Sequence, residues 1–160
     1  MRLTIKKLED GAGQLCKALL PIKHEYYFGS GKAAAICTLS SFDLLEIICR
    51  SSLMDVVLIA GRLLSENKGI DAIIGFTINH PELNRILLCG KEVKGHRAGQ
   101  ALSALARNGV STSGRIIGAV GPNPIITRCA QDVDIFRRQV QVIDSIGTVD
   151  IDRITQLLVS

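Results

Sequence analysis

Arg85-Ile86-Leu87-Leu88-Cys89-Gly90-Lys91-Glu92-Val93-Lys94-Gly95-His96-Arg97-Ala98-Gly99-Gln100 divides into three parts, and that division sets the fold. Arg85 to Cys89 is a short apolar run ended by Gly90, the pattern of a strand buried on both faces. Lys91 to Arg97 is polar and carries Gly95, which reads as a loop. Beyond it Ala98, Ala101, Leu102 and Leu105 recur at helical spacing, and Asn108-Gly109 supplies a C-terminal stop. Strand, loop and helix in that order form the repeating half of a parallel α/β sheet.

The same alternation extends in both directions. Toward the N-terminus, Ala33 to Leu39 and Val56 to Ile59 read as buried strands, the second running into Ala60-Gly61. Ser40 with Asp43 makes an S-x-x-D start for a helix carrying Phe42, Leu45, Ile48 and Cys49. Asn67 to Asn79 reads as a helix with Ile70, Ile73, Ile74 and Ile78 inward and Pro81 beyond its end. Toward the C-terminus, Arg115 to Gly118 is a fourth expected strand. A helix around Val133 to Arg138 leads to a fifth strand, Val140 to Ile143, and Ile151, Ile154, Leu157 and Leu158 mark a closing helix. The expectation is an α/β, Rossmann-like three-layer domain over residues 21–160, with a largely parallel sheet of about five or six strands. Residues 1–20 read as a peripheral N-terminal segment, and Pro21 to Ser30 as a connector.

Composition agrees with that class. Of 160 residues, 47% are hydrophobic but only 4% aromatic, with no Trp, so Ile, Leu, Val and Ala must build the core. The formal charge is +4, yet the 19 Lys and Arg are scattered along the chain without a basic block, which argues against nucleic acid. The five cysteines include no C-x-x-C pair. With no secretory signal at Met1, this suggests free thiols in a reducing cytoplasm. No apolar run reaches the roughly 18 residues of a membrane span. There is also no H-E-x-x-H, Walker A, G-x-G-x-x-G or G-x-S-x-G motif, so a hydrolase or kinase has no footing.

The candidate binding edge follows from glycines. Gly61, Gly90, Gly118 and Gly121 fall at expected strand ends, where a backbone can turn sharply and a ligand can come close. His96 stands in the same region between Gly95 and Gly99. By spacing alone it is either a loop or cap histidine, or a metal ligand with room around it for a bulky cofactor. His24 and His80 have no partners at ligand spacing; His80 reads as a polar helix terminus and His24 as a loop residue.

Four blocks carry a resemblance to a known family. Leu88-Cys89-Gly90-Lys91-Glu92-Val93-Lys94-Gly95-His96-Arg97-Ala98-Gly99-Gln100 is similar to L-C-G-x-E-V-x-G-H-x-x-G-Q. Ser65-Glu66-Asn67-Lys68-Gly69-Ile70 is similar to T-E-N-x-G-I. Asn108-Gly109-Val110 with Ile116-Ile117-Gly118-Ala119-Val120-Gly121, and Phe136 to Asp144, complete the series in order. From Pro21 to about Ile151 the chain resembles the A-subunit family of tetrahydromethanopterin S-methyltransferase. Three departures stand out: Lys94 where a glutamine is usual, Gly121-Pro122-Asn123-Pro124 in place of G-A-x-P, and no C-terminal transmembrane helix.

The resemblance implies a methyltransferase component of methanogenesis and one-carbon metabolism. It would carry a methyl group on the cobalt of a cobamide (cobalamin or 5-hydroxybenzimidazolylcobamide). The donor would be an N5-methyl-tetrahydropterin and the acceptor a thiol such as coenzyme M. His96 would be the catalytic residue and metal ligand. Glu92, Gly95, Gly99 and Gln100 would surround the corrin, with Gly90, Gly118, Gly121 and Pro122 lining neighbouring turns. Ser65, Glu66 and Asn67 would add polar contacts, or else cap the following helix. Glu92, as the nearest carboxylate in sequence, is the expected partner of the second His96 nitrogen. The implied partners are a pterin-dependent methyltransferase subunit, together with other subunits of a complex. This chain would be cytoplasmic or peripheral to a membrane assembly. A non-catalytic corrinoid storage or sensing module is the alternative, ahead of a nucleotide-binding domain without a phosphate loop.

Overall fold

Apolar residues two apart along a strand share one side of a sheet and neighbours face opposite sides, and the central strands here are apolar at nearly every position. The computed structural model describes residues 26–159, in which five strands and five helices follow one another. They are β1 (Tyr26–Phe28), β2 (Ala34–Cys37), α1 (Phe42–Cys49), β3 (Ile59–Gly61) and α2 (Lys68–Asn79), then β4 (Arg85–Leu88), α3 (Ala98–Asn108), α4 (Ala130–Gln139), β5 (Gln141–Asp144) and α5 (Ile151–Val159). A 3₁₀ turn at Ser52–Asp55 precedes β3. The residues expected to be peripheral, 1–20, and His24 lie outside the described range.

The sheet runs β1-β3-β2-β4-β5, parallel except for β1, which pairs antiparallel with β3 at the edge. Ala35 and Cys37 of β2 and Ile86 and Leu88 of β4 join one apolar cluster with α2, α3 and α4. Ala34, Ile36 and Leu87 join the other with α1 and α5. Leu45, Ile48, Ile70, Ile74, Leu87, Leu102 and Phe136 are fully buried. Each such side chain contributes about 1.5–3 kcal/mol of transfer free energy, less its ordering cost. From β2 the chain moves outward to β3, then crosses back to β4 on the other side of β2. The strand order therefore reverses between β2 and β4, where open α/β sheets leave a crevice at the carboxyl ends of their strands.

Two expectations are corrected. Tyr26–Phe28, read as connector, is the antiparallel edge strand β1. Arg115 to Gly118 is not a strand of the sheet: it lies in the connection from α3 to α4 and makes only isolated bridges, Val110 with Ile116 and Arg115 with Ile125. Gly114 and Gly118, at φ +78 and +84, bound this stretch. Only Ile116 between them is buried, so the segment lacks the two-faced burial that holds a central strand.

Candidate functional site

The loops after β2, β3 and β4 are tied together at the carboxyl edge. The Ser40 hydroxyl donates to the Lys91 carbonyl at 2.7 Å, and the Lys91 N–H donates to Ser41 Oγ at 2.8 Å. Ser40, expected with Asp43 to start α1, and Ser41, the N-cap residue of that helix, thus bridge the two sides of the crevice with their hydroxyls, and Ser41 makes no side-chain cap. Arg62, just past β3, donates to the carbonyls of Leu39 and Ser40 at 3.3 and 3.4 Å. Gly90 ends β4 at φ +73, and a Cβ there would lie 2.5 Å from the Thr38 carbonyl oxygen, so glycine is required at that turn.

The loop that follows presents His96. Gly95 is at φ +80 with open space where a side chain would be, and Arg97 is a non-glycine residue in the left-handed region at φ +53. Such a backbone costs free energy and persists only when its surroundings enforce it. Glu92 supplies the enforcement. Its carboxylate accepts from the N–H groups of Val93 at 2.8 Å, Gly99 at 3.0 Å and Gln100 at 2.8 Å. Arg97, at the N-cap position of α3, makes no side-chain cap, so Glu92 caps that helix from five residues upstream.

Glu92 is therefore not the partner of the imidazole; Glu66 is. His96 Nδ1 lies 2.8 Å from Glu66 Oε2, and Glu66 Oε1 accepts the Asn123 N–H at 3.0 Å. The Glu66 side chain is 1% exposed and the His96 side chain 55% exposed. Burial alone would raise the Glu66 carboxyl, but its own N–H, the Asn123 N–H and the imidazole together hold it below the ordinary carboxylate range. Glu66 is thus an anion at neutral pH and can only accept. Nδ1 must therefore be the donor, which in the neutral tautomer leaves the lone pair on Nε2. That nitrogen has no hydrogen-bond partner among the described residues. A carboxylate that fixes the tautomer and raises basicity in this way is the usual support of a metal-binding histidine.

The other expected residues divide by role. Ser65 and Asn67 follow the capping alternative: Ser65 Oγ accepts the Gly69 N–H at 2.9 Å, and Asn67 Oδ1 the Lys68 N–H at 2.6 Å. Gln100 clamps the long connection after α3, donating to the Gly118 carbonyl at 2.9 Å and accepting the Val120 N–H at 3.1 Å. Gly99 is buried against Leu39 and Ile146. Gly118 and Gly121 end no sheet strand, yet Gly121 reaches the same edge and lies against the His96 carbonyl oxygen and the Glu66 side chain. Pro122 follows it, exposed. Unforeseen was Asp71, which takes the N–H groups of Thr127 and Arg128 and pins the far end of this connection to α2. His80 does cap α2, with Nδ1 2.8 Å from the Phe76 carbonyl.

Among the described residues, no three His, Cys, Asp or Glu side chains form a metal cage. A cleft of about 620 Å³, lined by Phe28, Ile73 and Phe76 among others, opens beside α2. It includes Ser65 but not His96, Glu92, Gln100 or Gly121, so it lies apart from the imidazole. No described helix is long and apolar enough to cross a membrane.

Fold and site together define a mainly parallel α/β protein that presents one carboxylate-steered imidazole at its switch-point edge. The chain belongs to the A-subunit family of tetrahydromethanopterin S-methyltransferase, whose sequence model matches residues 16–159. The second A-subunit of this methyltransferase from Methanothermobacter thermautotrophicus is 43% identical over 98 residues, 60% of this chain and 54% of the relative. The A-subunit from Methanocaldococcus jannaschii is 42% identical over 102 residues, 62% of this chain and 42% of the relative. The A-subunit from Methanococcus aeolicus is 33% identical over 132 residues, 82% of this chain and 53% of the relative. The chain spans about half the length of these curated relatives.

Proposed function

We propose that this chain is the corrinoid-carrying component of a methyltransferase, its residues 21–160 forming a three-layer domain that binds a cobamide through His96. The observation that carries the reading is the buried Glu66 carboxylate holding Nδ1–H while Nε2 stands bare and open. A lone imidazole is a poor site for a free ion, which takes several protein ligands. It would suit a metal whose other ligands come from a macrocycle, because a single protein ligand then suffices. Gly95, beside His96, leaves open space where a side chain would obstruct a flat cofactor.

When bound, the cobamide supplies a cobalt centre that accepts and gives up a methyl group, taken from an N5-methyl-tetrahydropterin and passed to a thiol such as coenzyme M. This chain's residues do the rest. His96 would hold the metal through its Nε2 lone pair, while Glu66 holds the Nδ1 proton and orients the ring. Asn123 fixes Glu66 through its backbone N–H, which keeps the carboxylate aimed at the imidazole. The relatives' names supply the donor class, tetrahydromethanopterin, and the word subunit in them implies partner chains that bind donor and acceptor.

Titration with cobalamin tests this directly. The expected result is a stable coloured complex whose Co(III) spectrum shifts in His96→Ala while substantial binding remains, since most affinity comes from packing of the corrin face. In the Co(II) state, the electron paramagnetic resonance spectrum should show nitrogen splitting that changes with nitrogen-15 histidine. Splitting indifferent to the label would remove His96 from the role.

A further inference from the structure

The helix layer on one face of the sheet stops short of its edge. α2, α3 and α4 pack there against Ala35, Cys37 and Ile86, with α2 nearest β3. Beyond α2 no described helix covers β3 and β1, and the cleft of about 620 Å³ opens at that gap. Its floor includes Tyr26 and Phe28 with their partners Gly61 and Ile59. The two aromatic residues are 57% and 62% exposed. Its wall is a second apolar stripe on α2, formed by Ala72, Ile73 and Phe76 beside the core-facing Ile70 and Ile74. Ala72 is exposed, and Ile73 and Phe76 are half-buried. A helix bordered by water carries one apolar face, and a second such face calls for a further neighbour.

We propose that residues 8–20 of this chain, which lie outside the described range, fill the groove as a helix antiparallel to α2. Leu8, Ala12, Leu15 and Leu19 recur at helical spacing and make one apolar stripe, while Glu9, Asp10, Gln14 and Lys17 fall off it. Pro21 stops such a helix. Tyr26 pairs with Gly61, the last residue of β3, so β1 starts at the carboxyl edge, where α2 also starts. A helix that arrives at that edge needs only residues 21–25 to turn into β1, a connection of ordinary length. It then runs against the direction of α2, and residues 8–20 make a helix about as long as the 12 residues of α2. The floor is two strands wide, about 10 Å across, which matches the width of one helix. The family match begins at residue 16, so the end of the segment matches together with the sheet it would cover. Gly11 and Gly13 leave the segment a weak helix on its own, so its helicity depends on the groove. This docking is independent of what His96 holds.

The chain has no Trp, so Leu15→Trp places a single fluorescent reporter in the full chain. Its emission should be blue-shifted and shielded from iodide, to the same degree at every protein concentration. Adding Ala72→Glu puts a charge in the groove at a position that the described fold leaves exposed. The emission should then move to the red and iodide quenching should rise severalfold, while circular dichroism shows the sheet and helices retained. A second variant, Leu15→Cys with Ala72→Cys, should form a disulfide within one chain on mild oxidation, read by mass spectrometry of the linked peptides. That link decides the matter where the indole proves too bulky for the groove. A solvated tryptophan together with no link overturns the docking. So does a buried tryptophan indifferent to Ala72→Glu, which would seat the segment elsewhere. Burial that grows with concentration, or a link between two chains, would assign the groove to a second copy. Parent chain that binds anilinonaphthalene sulfonate as strongly as a Leu8→Ser, Leu15→Ser, Leu19→Ser variant would show the groove open to a small apolar ligand, and would also overturn it.

Discussion

Gly121 lies against the carbonyl oxygen of His96, so the connection between α3 and α4 forms the back wall of the loop that presents the imidazole. A Cβ at Gly121 would overlap that oxygen and come within 3.2 Å of Glu66 Cγ. Gly121→Ala should therefore push on both members of the His96–Glu66 pair. The expected cost is about 1–3 kcal/mol, as for overpacking elsewhere. A domain of this size loses about 2–4 °C in Tm per kcal/mol, so calorimetry reads it directly. The Co(III) spectrum should move with it; a variant with parent Tm and parent spectrum would show that the wall gives freely.

Glu66→Gln separates charge from shape. Glu66 has two acceptor oxygens, one for the Asn123 N–H and one for His96 Nδ1–H. Glutamine has one oxygen. If it serves Asn123, the amide NH₂ faces Nδ1, the proton moves to Nε2, and the ligating lone pair is lost. Axial ligation should weaken by about 10–100-fold, the usual effect of losing such a supporting carboxylate. The change in the cobalamin spectrum across a titration measures it, and unaltered ligation would count against the tautomer argument.

Acid should loosen the same pair. The folded-state pKa of Glu66 lies below its unfolded value, so its contribution to stability is fully present above the ordinary carboxylate value of about 4.3. That contribution is lost as pH falls from there through the lowered folded value. Denaturant midpoints measured from neutral pH down to about pH 3 should therefore fall off more steeply for the parent than for Glu66→Gln, which has no carboxyl to protonate there. Parallel curves would mean that other carboxylates carry the acid transition.

Glu92→Ala should affect stability more than ligation. Three N–H groups lose their acceptor, and α3 loses its anionic cap. A loss of about 1–2 kcal/mol is expected, at the upper end for caps. The Glu66–His96 bond remains, so a cobalamin complex formed below the lowered Tm should keep a near-parent spectrum. A spectrum that changes as much as in Glu66→Gln would show that the cap also positions the imidazole.

Most of the fold was legible because its signals are local. The apolar run Arg85 to Cys89, the turn at Gly90 and the helical spacing from Ala98 each depend on residues within a few positions of one another. β4 and α3 lie where those signals put them. The same local reading promoted Arg115 to Gly118 to a strand. Neighbour preferences cannot register that its flanking glycines and half-exposed pattern leave it no partner in the sheet.

Local sequence was enough to single out His96, because a histidine between Gly95 and Gly99 beyond the end of a buried strand is a pattern of near neighbours. Which carboxylate it meets depends on the folded chain. Glu92 is four residues away, but the start of α3 exposes unpaired N–H groups beside it, and these claim its carboxylate. Glu66 is 30 residues away and arrives because the loop after β3 crosses the carboxyl end of β2 to reach the loop after β4. Strand order sets that meeting, and strand order is fixed by how the two apolar faces of the sheet are covered, a property of the whole chain that no short stretch encodes.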